Sequence, residues 1–194
     1  MKIKVSKNPF YHYLIEDCLP KKYLKKIIEI SDSINPSESV SGTRGDIKNR
    51  FFINKKNNAE LGNFLNNHFK TLTKKMYKDL NNKNISLLNK SKSRLEITHD
   101  GPGFWQIPHL DEKDKLITII VYLGENVNND LGTDVFNKDK SFCKTIPYGM
   151  NLGFSFVPSK NSWHGFRKGK FTEGTRKLLI VNFVLNWKST NELY

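Results

Sequence analysis

Two stretches in the first half of the chain carry apolar residues at helical spacing. The first follows Pro20, which suits the first turn of a helix because its missing N–H is not needed there. The second spans residues 58–80. Both patterns predict helices that bury one apolar stripe against a sheet and expose their lysines to solvent. The apolar positions are Tyr23, Leu24, Ile27 and Ile28 in the first helix and Leu61, Phe64, Leu65, Phe69, Leu72, Met76 and Leu80 in the second.

The second half of the chain has the pattern of short strands separated by turns that contain glycine or proline. Residues 93–99 alternate polar and apolar side chains, as a half-buried strand does. Residues 115–123 are almost continuously apolar, which is typical of a strand covered on both faces. The predicted strands are 93–99, 104–111, 115–123, 131–136, 142–148, 151–157, 163–166 and 176–187, and two earlier ones are 9–19 and 50–53.

Helices followed by a series of short strands predict an α+β fold. The expected architecture is a double-stranded β-helix, that is, a jelly-roll, cupin-like barrel with supporting N-terminal helices. A length of 194 residues suits one domain. We therefore expect a single domain over residues 1–194, with helical support and the first strands in 1–92 and the jelly-roll core in 93–187.

His109 and Asp111 stand at positions i and i+2 near the end of a predicted strand. Such residues lie about 7 Å apart along the backbone and point to the same face, so both can bind one metal ion. His164, in a Trp-His-Gly sequence, would complete two imidazoles and one carboxylate, the facial arrangement that leaves open positions on a ferrous ion. The HxD pattern is common by chance, and His99, which precedes a turn, is an alternative ligand.

A basic residue follows the distal histidine at the start of the last predicted strand. Arg176 stands 12 residues after His164 and opens an apolar run that ends at Val184. Its guanidinium could hold a carboxylate through two hydrogen bonds. Because neighbouring strand residues face opposite ways, a shift of one residue would instead point Lys177 inward. We favour Arg176 for its bidentate geometry.

This order of residues, an HxD motif, a distal histidine and then a basic residue, resembles that of the iron(II)- and 2-oxoglutarate-dependent oxygenases. The likeness is to their prolyl hydroxylase-like branch and spans most of the chain. Residues 8–20 resemble the first strand and helix start of many such enzymes, and residues 115–123 resemble the strand after their HxD motif. Residues 153–158 resemble the segment that leads to their distal histidine.

The resemblance implies a dioxygenase that hydroxylates its substrate while it converts 2-oxoglutarate to succinate and CO2. It implies that His109, Asp111 and His164 bind Fe(II) and form the catalytic centre. It also implies that the far carboxylate of 2-oxoglutarate pairs with Arg176, that molecular oxygen is a co-substrate and that ascorbate serves as a reductant. Related halogenases have a small residue in place of the aspartate, so Asp111 favours hydroxylation over halogenation.

The parity of side chains along the strands adds candidates around the co-substrate. Thr118 and Tyr122 share one face of their strand, and Asn182 shares a face with Arg176. We expect these residues to help bind 2-oxoglutarate, with Tyr122 donating a hydrogen bond to its carboxylate; ordinary core packing of Tyr122 is the alternative. Candidates for the substrate pocket, each with packing as an alternative role, are Arg44, Arg50, Phe51, Phe104 and Trp105.

The positive charge of the chain is concentrated in its first half. The net charge is +13, with 19 basic and 8 acidic residues in 1–92 but 13 and 11 in 93–194. Such an excess suits an acidic or nucleic-acid partner. It consists almost entirely of lysine interleaved with asparagine and isoleucine, which also fits a compositional bias of the genome. A nucleic-acid partner is therefore open but not favoured.

The absence of membrane, signal-peptide and CxxC patterns in this sequence bears on where the protein is expected to act. No run approaches the roughly 18 apolar residues of a membrane helix, and the first residues lack the apolar region of a signal peptide. Cys18 and Cys143 have no CxxC spacing. We expect a cytoplasmic protein without membrane association that acts on a small-molecule or peptidyl substrate. The alternatives are a protein or nucleic-acid hydroxylase that docks its substrate through the basic half, and a non-catalytic cupin-like binding barrel.

Overall fold

A computed structural model describes residues 1–35, 47–124 and 129–194. Residues 31–46, whose serine, glycine, asparagine and proline content predicts a loop, lie mostly outside the described residues, as does Arg44. The helices are α1 (Lys21–Ser33) and α2 (Lys55–Asp79), with short 3-10 helices at Lys83–Asn89, Asn129–Leu131 and Thr190–Glu192. The strands are β1 (Lys2–Ser6), β2 (His12–Glu16), β3 (Lys48–Phe52), β4 (Lys92–Asp100), β5 (Gln106–His109), β6 (Lys115–Tyr122), β7 (Asp134–Phe136), β8 (Phe142–Thr145), β9 (Gly153–Phe156), β10 (His164–Phe166) and β11 (Arg176–Val184).

The strands form two antiparallel sheets. The larger sheet has seven strands in the order β1-β2-β9-β6-β11-β4-β3, and the smaller has four in the order β5-β10-β7-β8. Neighbours in these sheets are mostly distant in sequence, as in β11, which pairs with β4 on one side and β6 on the other. The arrangement is the predicted jelly-roll type, with few helices beside mainly antiparallel sheet.

Both predicted helices are present, and each begins at a recognisable signal. Pro20 precedes α1 with φ −59°, the value that its ring imposes. At the start of α2, the Asn54 side chain accepts hydrogen bonds from the backbone N–H groups of Lys56 and Asn57, and the Asn57 side chain accepts one from Asn54. This asparagine cap explains why α2 begins earlier than the apolar pattern predicts, and Asn58 then kinks it.

The larger sheet has two faces of different character because successive side chains of a strand alternate. Its outer face is apolar and forms one core with the buried side of α2. Its inner face, towards the smaller sheet, carries both apolar and polar side chains. The outer face is formed by Leu95, Ile97, Ile117, Ile119, Val121, Leu179, Val181 and Phe183, and the inner face includes Arg94, Glu96, Thr118, Ile120, Tyr122, Arg176, Leu178 and Asn182.

Several elements differ from the sequence prediction. The strand predicted at 104–111 is only four residues long in the structure, so Asp111 lies beyond the end of β5. Residues 81–92, whose asparagines and lysines predict a polar connection, contain the 3-10 helix Lys83–Asn89. The sequence pattern also did not predict β1, an edge strand whose side chains are mostly exposed and which therefore lacks a buried face.

Candidate metal centre

The structure brings the three predicted metal ligands together between the two sheets. His109 and His164 are directly paired residues of the neighbouring strands β5 and β10, and their ring centroids are 4.3 Å apart. Asp111 follows two residues after His109, where the chain has left β5. The candidate ligand atoms of the three side chains all lie within 4.8 Å of one another, and within the described part of the chain no other group of three or more such residues meets this criterion.

The backbone fixes which nitrogen of each histidine faces the centre. Nδ1 of His109 lies 3.0 Å from the carbonyl oxygen of Ile107, and Nδ1 of His164 lies 2.9 Å from that of Ser162. A carbonyl oxygen only accepts hydrogen bonds, so each Nδ1 carries the proton and donates it there. The lone pair of each Nε2 is then available to a metal ion, as in many histidine-ligated sites.

The environment also sets the protonation of the ligands. Burial lowers the pKa of His164 to about 4, so its imidazole is neutral near pH 7. Burial alone would raise the pKa of Asp111, but the charge of Lys115 and hydrogen bonds from Lys115 and Thr118 lower it to about 2. Neutral imidazole and ionised carboxylate are the forms that bind metal ions.

Hydrogen bonds hold both oxygens of the Asp111 carboxylate. Lys115 Nζ lies 2.5 Å from Oδ1, and the Thr118 hydroxyl donates to Oδ2 at 2.6 Å. Thr118 in turn accepts a hydrogen bond from Asn182 Nδ2 at 2.9 Å. Thr118 and Asn182, which the sequence analysis assigned to 2-oxoglutarate binding, both line the cavity beside the three predicted ligands. Thr118 hydrogen-bonds the Asp111 carboxylate directly, and Asn182 hydrogen-bonds Thr118.

A cavity of about 340 Å³ adjoins the three ligands. Part of its wall is apolar, with Ile120, Leu178 and Ile180 from the inner face of the larger sheet. The remainder is strongly polar, which allows the cavity to bind an anionic or hydrogen-bonding molecule. The charged residues of its lining, besides His109, Asp111 and His164, are Lys48, Arg50, Arg94, Glu96, Glu112, Lys115 and Arg176.

Arg176 lines this cavity, whereas Lys177 points away from it. The Arg176 guanidinium is buried, donates to Asp100 Oδ2 at 2.5 Å and to the Leu131 carbonyl at 2.6 Å, and lies over the Phe166 ring. Lys177 instead pairs with Asp32 of α1 at 2.5 Å, on the outer side of the sheet. Of the two basic residues, Arg176 is therefore the one within reach of a bound carboxylate.

The remaining candidates are only partly gathered at the cavity. Arg50 and Phe104 line it, but Phe51 packs against the outer core, and Trp105 is half-buried outside the lining. Tyr122 is fully buried, and its hydroxyl donates to Thr133 Oγ1 at 2.9 Å. Thr133, rather than Tyr122, belongs to the cavity wall.

The alternative ligand His99 lies on the other face of its strand. Its Nε2 is 2.7 Å from Ser31 Oγ in α1, so the ring points towards the helices. Side chains alternate between the two faces of β4, and Arg94, Glu96 and Asp100 share the inner face. His99 therefore points to the outer face. His99 is therefore not part of the group around His109.

Sequence reasoning missed the charged residues of β4. The alternating pattern of this strand suggested apolar side chains inside and polar ones in solvent, but both sets are buried. Glu96 accepts hydrogen bonds from Arg50 at 2.6 and 3.2 Å and pairs with Arg94 at 2.6 Å. The available signal was the succession of charges at every second position in a strand that the fold buries on both faces.

At the level of sequence, no family model matches the chain. Protein argonaute of Pyrococcus furiosus is 33% identical over 129 residues, which are 65% of this chain but only 14% of that protein. The chain thus corresponds to a small part of this relative.

No helix in the described residues is long and apolar enough to cross a membrane.

Solved structures match the whole fold at low sequence identity. A prolyl-4-hydroxylase of Pseudomonas putida has a TM-score of 0.65 and 16% identity, with 91% of this chain and 93% of that chain covered. A collagen prolyl hydroxylase of Paramecium bursaria Chlorella virus 1, in complex with 2-oxoglutarate, has a TM-score of 0.56 and 15% identity over 90% and 96%. A Trichoplax adhaerens prolyl hydroxylase, in complex with a hypoxia-inducible-factor peptide fragment, has a TM-score of 0.59 and 14% identity over 89% and 83%.

These matches define the class of fold. The chain has the fold of the prolyl hydroxylase-like branch of the 2-oxoglutarate- and Fe(II)-dependent oxygenases, as its sequence motifs predicted. The histidine–aspartate–histidine group lies in this fold at the point where the two sheets approach each other.

Proposed function

We propose that the protein is an Fe(II)- and 2-oxoglutarate-dependent dioxygenase that hydroxylates a polar substrate. The observation that carries this proposal is the convergence of His109, Asp111 and His164, whose candidate ligand atoms all lie within 4.8 Å of one another. Two nitrogens and one oxygen on one side of the ion match a non-haem ferrous site with open positions. Ferrous iron bound there would supply oxygen activation, coupled to decarboxylation of 2-oxoglutarate.

The side chains around the proposed centre would bind and orient the co-substrate. Arg176 would pair with the far carboxylate of 2-oxoglutarate, and the apolar wall of Ile120, Leu178 and Ile180 would contact its methylene groups. Asp100 already holds one edge of the Arg176 guanidinium at 2.5 Å, which fixes its plane. In this proposal Tyr122 acts through Thr133, since its hydroxyl is already hydrogen-bonded there.

The cavity also limits the kind of substrate. The whole cavity has a volume of about 340 Å³. Once 2-oxoglutarate occupies part of it, the remaining space suits a small molecule or a single side chain. The charged residues Arg50, Arg94 and Glu96 on the wall favour a polar group over an aliphatic one. The peptide fragment bound to the Trichoplax adhaerens prolyl hydroxylase supports a peptidyl substrate as one of the two classes.

The test is succinate formation by the purified protein with Fe(II), 2-oxoglutarate and ascorbate under air. The assay compares the protein with an Asp111→Asn variant, which lacks the carboxylate ligand of the proposed centre. A His99→Ala variant is the matched control, because His99 faces α1 and not the cavity. We expect succinate from the wild type and His99→Ala and none above background from Asp111→Asn.

Two other outcomes would each identify one of the alternative functions. If the wild type binds 2-oxoglutarate but forms no succinate with any small-molecule, peptide or cell-extract substrate, the protein is a binding barrel of similar fold. If turnover requires a large polyanionic substrate and falls steeply with salt, the basic half of the chain docks that substrate.

A further inference from the structure

A row of three buried polar side chains crosses the larger sheet next to the proposed metal centre. Arg94 of β4, Asn182 of β11 and Thr118 of β6 stand directly opposite one another in adjacent strands. Each is at most 4% exposed. The row ends at Asp111, because the Thr118 hydroxyl donates to Asp111 Oδ2 at 2.6 Å.

The row has a single direction of hydrogen bonding. An arginine side chain can only donate hydrogen bonds. The Asn182 amide therefore turns its oxygen towards the Arg94 guanidinium, which lies 3.5 Å away. The amide nitrogen of Asn182 then faces Thr118 and donates to its oxygen at 2.9 Å. A hydroxyl has only one hydrogen, and Thr118 therefore directs it to Asp111.

The hydrogen bonds to the Asp111 carboxylate compensate for the position of this residue outside a strand. His109 is fixed by β5 and by its backbone hydrogen bond, whereas Asp111 follows two residues after the strand has ended. The orientation of its carboxylate therefore depends on the groups that hold its oxygens. Lys115 holds Oδ1 through a long and flexible side chain, while Thr118 holds Oδ2 from the middle of the sheet.

We infer that Thr118 and Asn182 are positioning residues for the metal-binding carboxylate of Asp111, and not contacts of 2-oxoglutarate. The inference rests on the proposed metal centre and adds to it. Replacement of the groups that hydrogen-bond a metal ligand typically weakens metal binding about 10- to 100-fold. The same loss is expected here when Thr118 cannot donate.

The experiment measures Co²⁺ binding to the metal-free protein by calorimetry and by the absorption spectrum of the bound ion. Thr118→Val keeps the shape of the side chain but removes the hydroxyl, and we expect Co²⁺ affinity to fall about 10- to 100-fold. Thr118→Ser should restore it. The matched control is Thr98→Val, because Thr98 is equally buried on β4 and its hydroxyl has no hydrogen-bond partner in the described part of the chain. This variant should bind Co²⁺ like the wild type.

Binding of 2-oxoglutarate to the Co²⁺-saturated variants separates the two roles. We expect unchanged 2-oxoglutarate affinity once Thr118→Val is saturated with metal. Normal Co²⁺ affinity with weakened 2-oxoglutarate binding would overturn the inference and support a direct contact. Failure of Thr118→Ser to restore Co²⁺ binding would also overturn it, since the hydroxyl would then not be the cause.

A second variant carries the test if Thr118→Val does not fold. Asn182→Leu removes the amide that fixes the Thr118 hydroxyl, and it should weaken Co²⁺ binding in the same direction; unchanged affinity would refute the inference. Absence of Co²⁺ binding by the wild type is a different result, because it would refute the proposed metal centre itself.

Discussion

At the scale of single residues, Glu96 shows how the cavity wall accommodates a buried charge. Its carboxylate is 2% exposed and lies between the guanidinium groups of Arg50 and Arg94. A second carboxylate, Glu192, accepts from Arg94 Nε at 2.6 Å. The charges therefore alternate from Arg50 through Glu96 and Arg94 to Glu192, and each of these groups has a partner of opposite sign, as burial requires.

The pKa of Glu96 leads to a prediction about acid stability. Burial alone would raise this pKa, but Arg94, Arg50 and Lys48 lower it to about 2. A carboxyl with a lowered pKa stabilises the fold above its unfolded pKa, near 4.5, and this stabilisation is lost as the pH falls towards 2. The amount is up to about 3 kcal/mol. Glu96→Gln should have a lower free energy of unfolding at pH 7, and that free energy should depend less on pH between 4.5 and 2. Urea denaturation measures both.

A second prediction at this scale concerns Arg176 and Lys177. Arg176→Ala should raise the dissociation constant for 2-oxoglutarate by at least tenfold, because a charged hydrogen bond contributes about 1.5–3 kcal/mol. Metal affinity should change little. Lys177→Ala should leave 2-oxoglutarate binding unchanged, since its partner Asp32 is on the outer side of the sheet. Calorimetric titration of the Co²⁺-loaded variants measures both, and the reverse result would make Lys177 the anchor.

The sequence alone indicated the three ligands but not the groups that support them. The HxD pattern and a distal histidine are local signals, so His109, Asp111 and His164 could be proposed without any structure. The contact between Thr118 and Asn182 instead depends on the register between β6 and β11, which are far apart in the chain. Register is set by the tertiary arrangement of the strands, and a single sequence does not specify it.

At the scale of elements, the metal centre depends on the close pairing of β5 and β10. Gly165 lies between His164 and Phe166 in β10, and its Cα faces the backbone of β5. A Cβ added there would stand 2.6 Å from the Gln106 carbonyl oxygen, which is closer than real Cβ atoms approach. The strand pair that unites the two histidines therefore requires a glycine at this position.

Gly165→Ala should consequently separate the two strands and weaken metal binding. We expect at least a tenfold loss of Co²⁺ affinity together with a lower melting temperature, because backbone atoms of β5 must move. Gly101→Ala is the matched control, since its added methyl group would be at an ordinary distance of 3.4 Å from the Ile47 carbonyl oxygen. Wild-type Co²⁺ affinity in Gly165→Ala would show that the strands have room to adjust.

Elements with a clear hydrophobic pattern, either one apolar stripe or a continuous apolar run, were the most predictable. The helix expected at 58–80 appears as Lys55–Asp79, and the strand expected at 115–123 appears as Lys115–Tyr122. Short strands of the smaller sheet were predicted too long, as with β8 at Phe142–Thr145. Their ends depend on pairing with distant strands, whereas the ends of α2 depend on local capping by Asn54.

At the scale of the whole molecule, the lysines of the two helices and the cavity are on different sides of the larger sheet. The lysines of α1 and α2 belong to helices that pack on its outer face. The inner face pairs its arginines with Glu96, Asp100 and Glu192. A polyanion attracted by the helices would therefore contact a surface other than the cavity, and charge alone gives no support for a nucleic-acid substrate.

Metal binding should stabilise the whole molecule, because its ligands join separate parts of the chain. His109 and Asp111 belong to the β5 region, and His164 comes from β10 more than 50 residues later. The unfolded chain does not hold these groups together, so an ion at about 100 times its dissociation constant stabilises the folded state by about 2.7 kcal/mol. For a chain of this size that corresponds to a rise in melting temperature of roughly 5–10 °C. The rise should appear with Co²⁺ or Mn²⁺, disappear with excess chelator and be absent in Asp111→Asn, while His99→Ala should retain it. An equal rise in Asp111→Asn would place the stabilising ion elsewhere and remove the main support for the proposed centre.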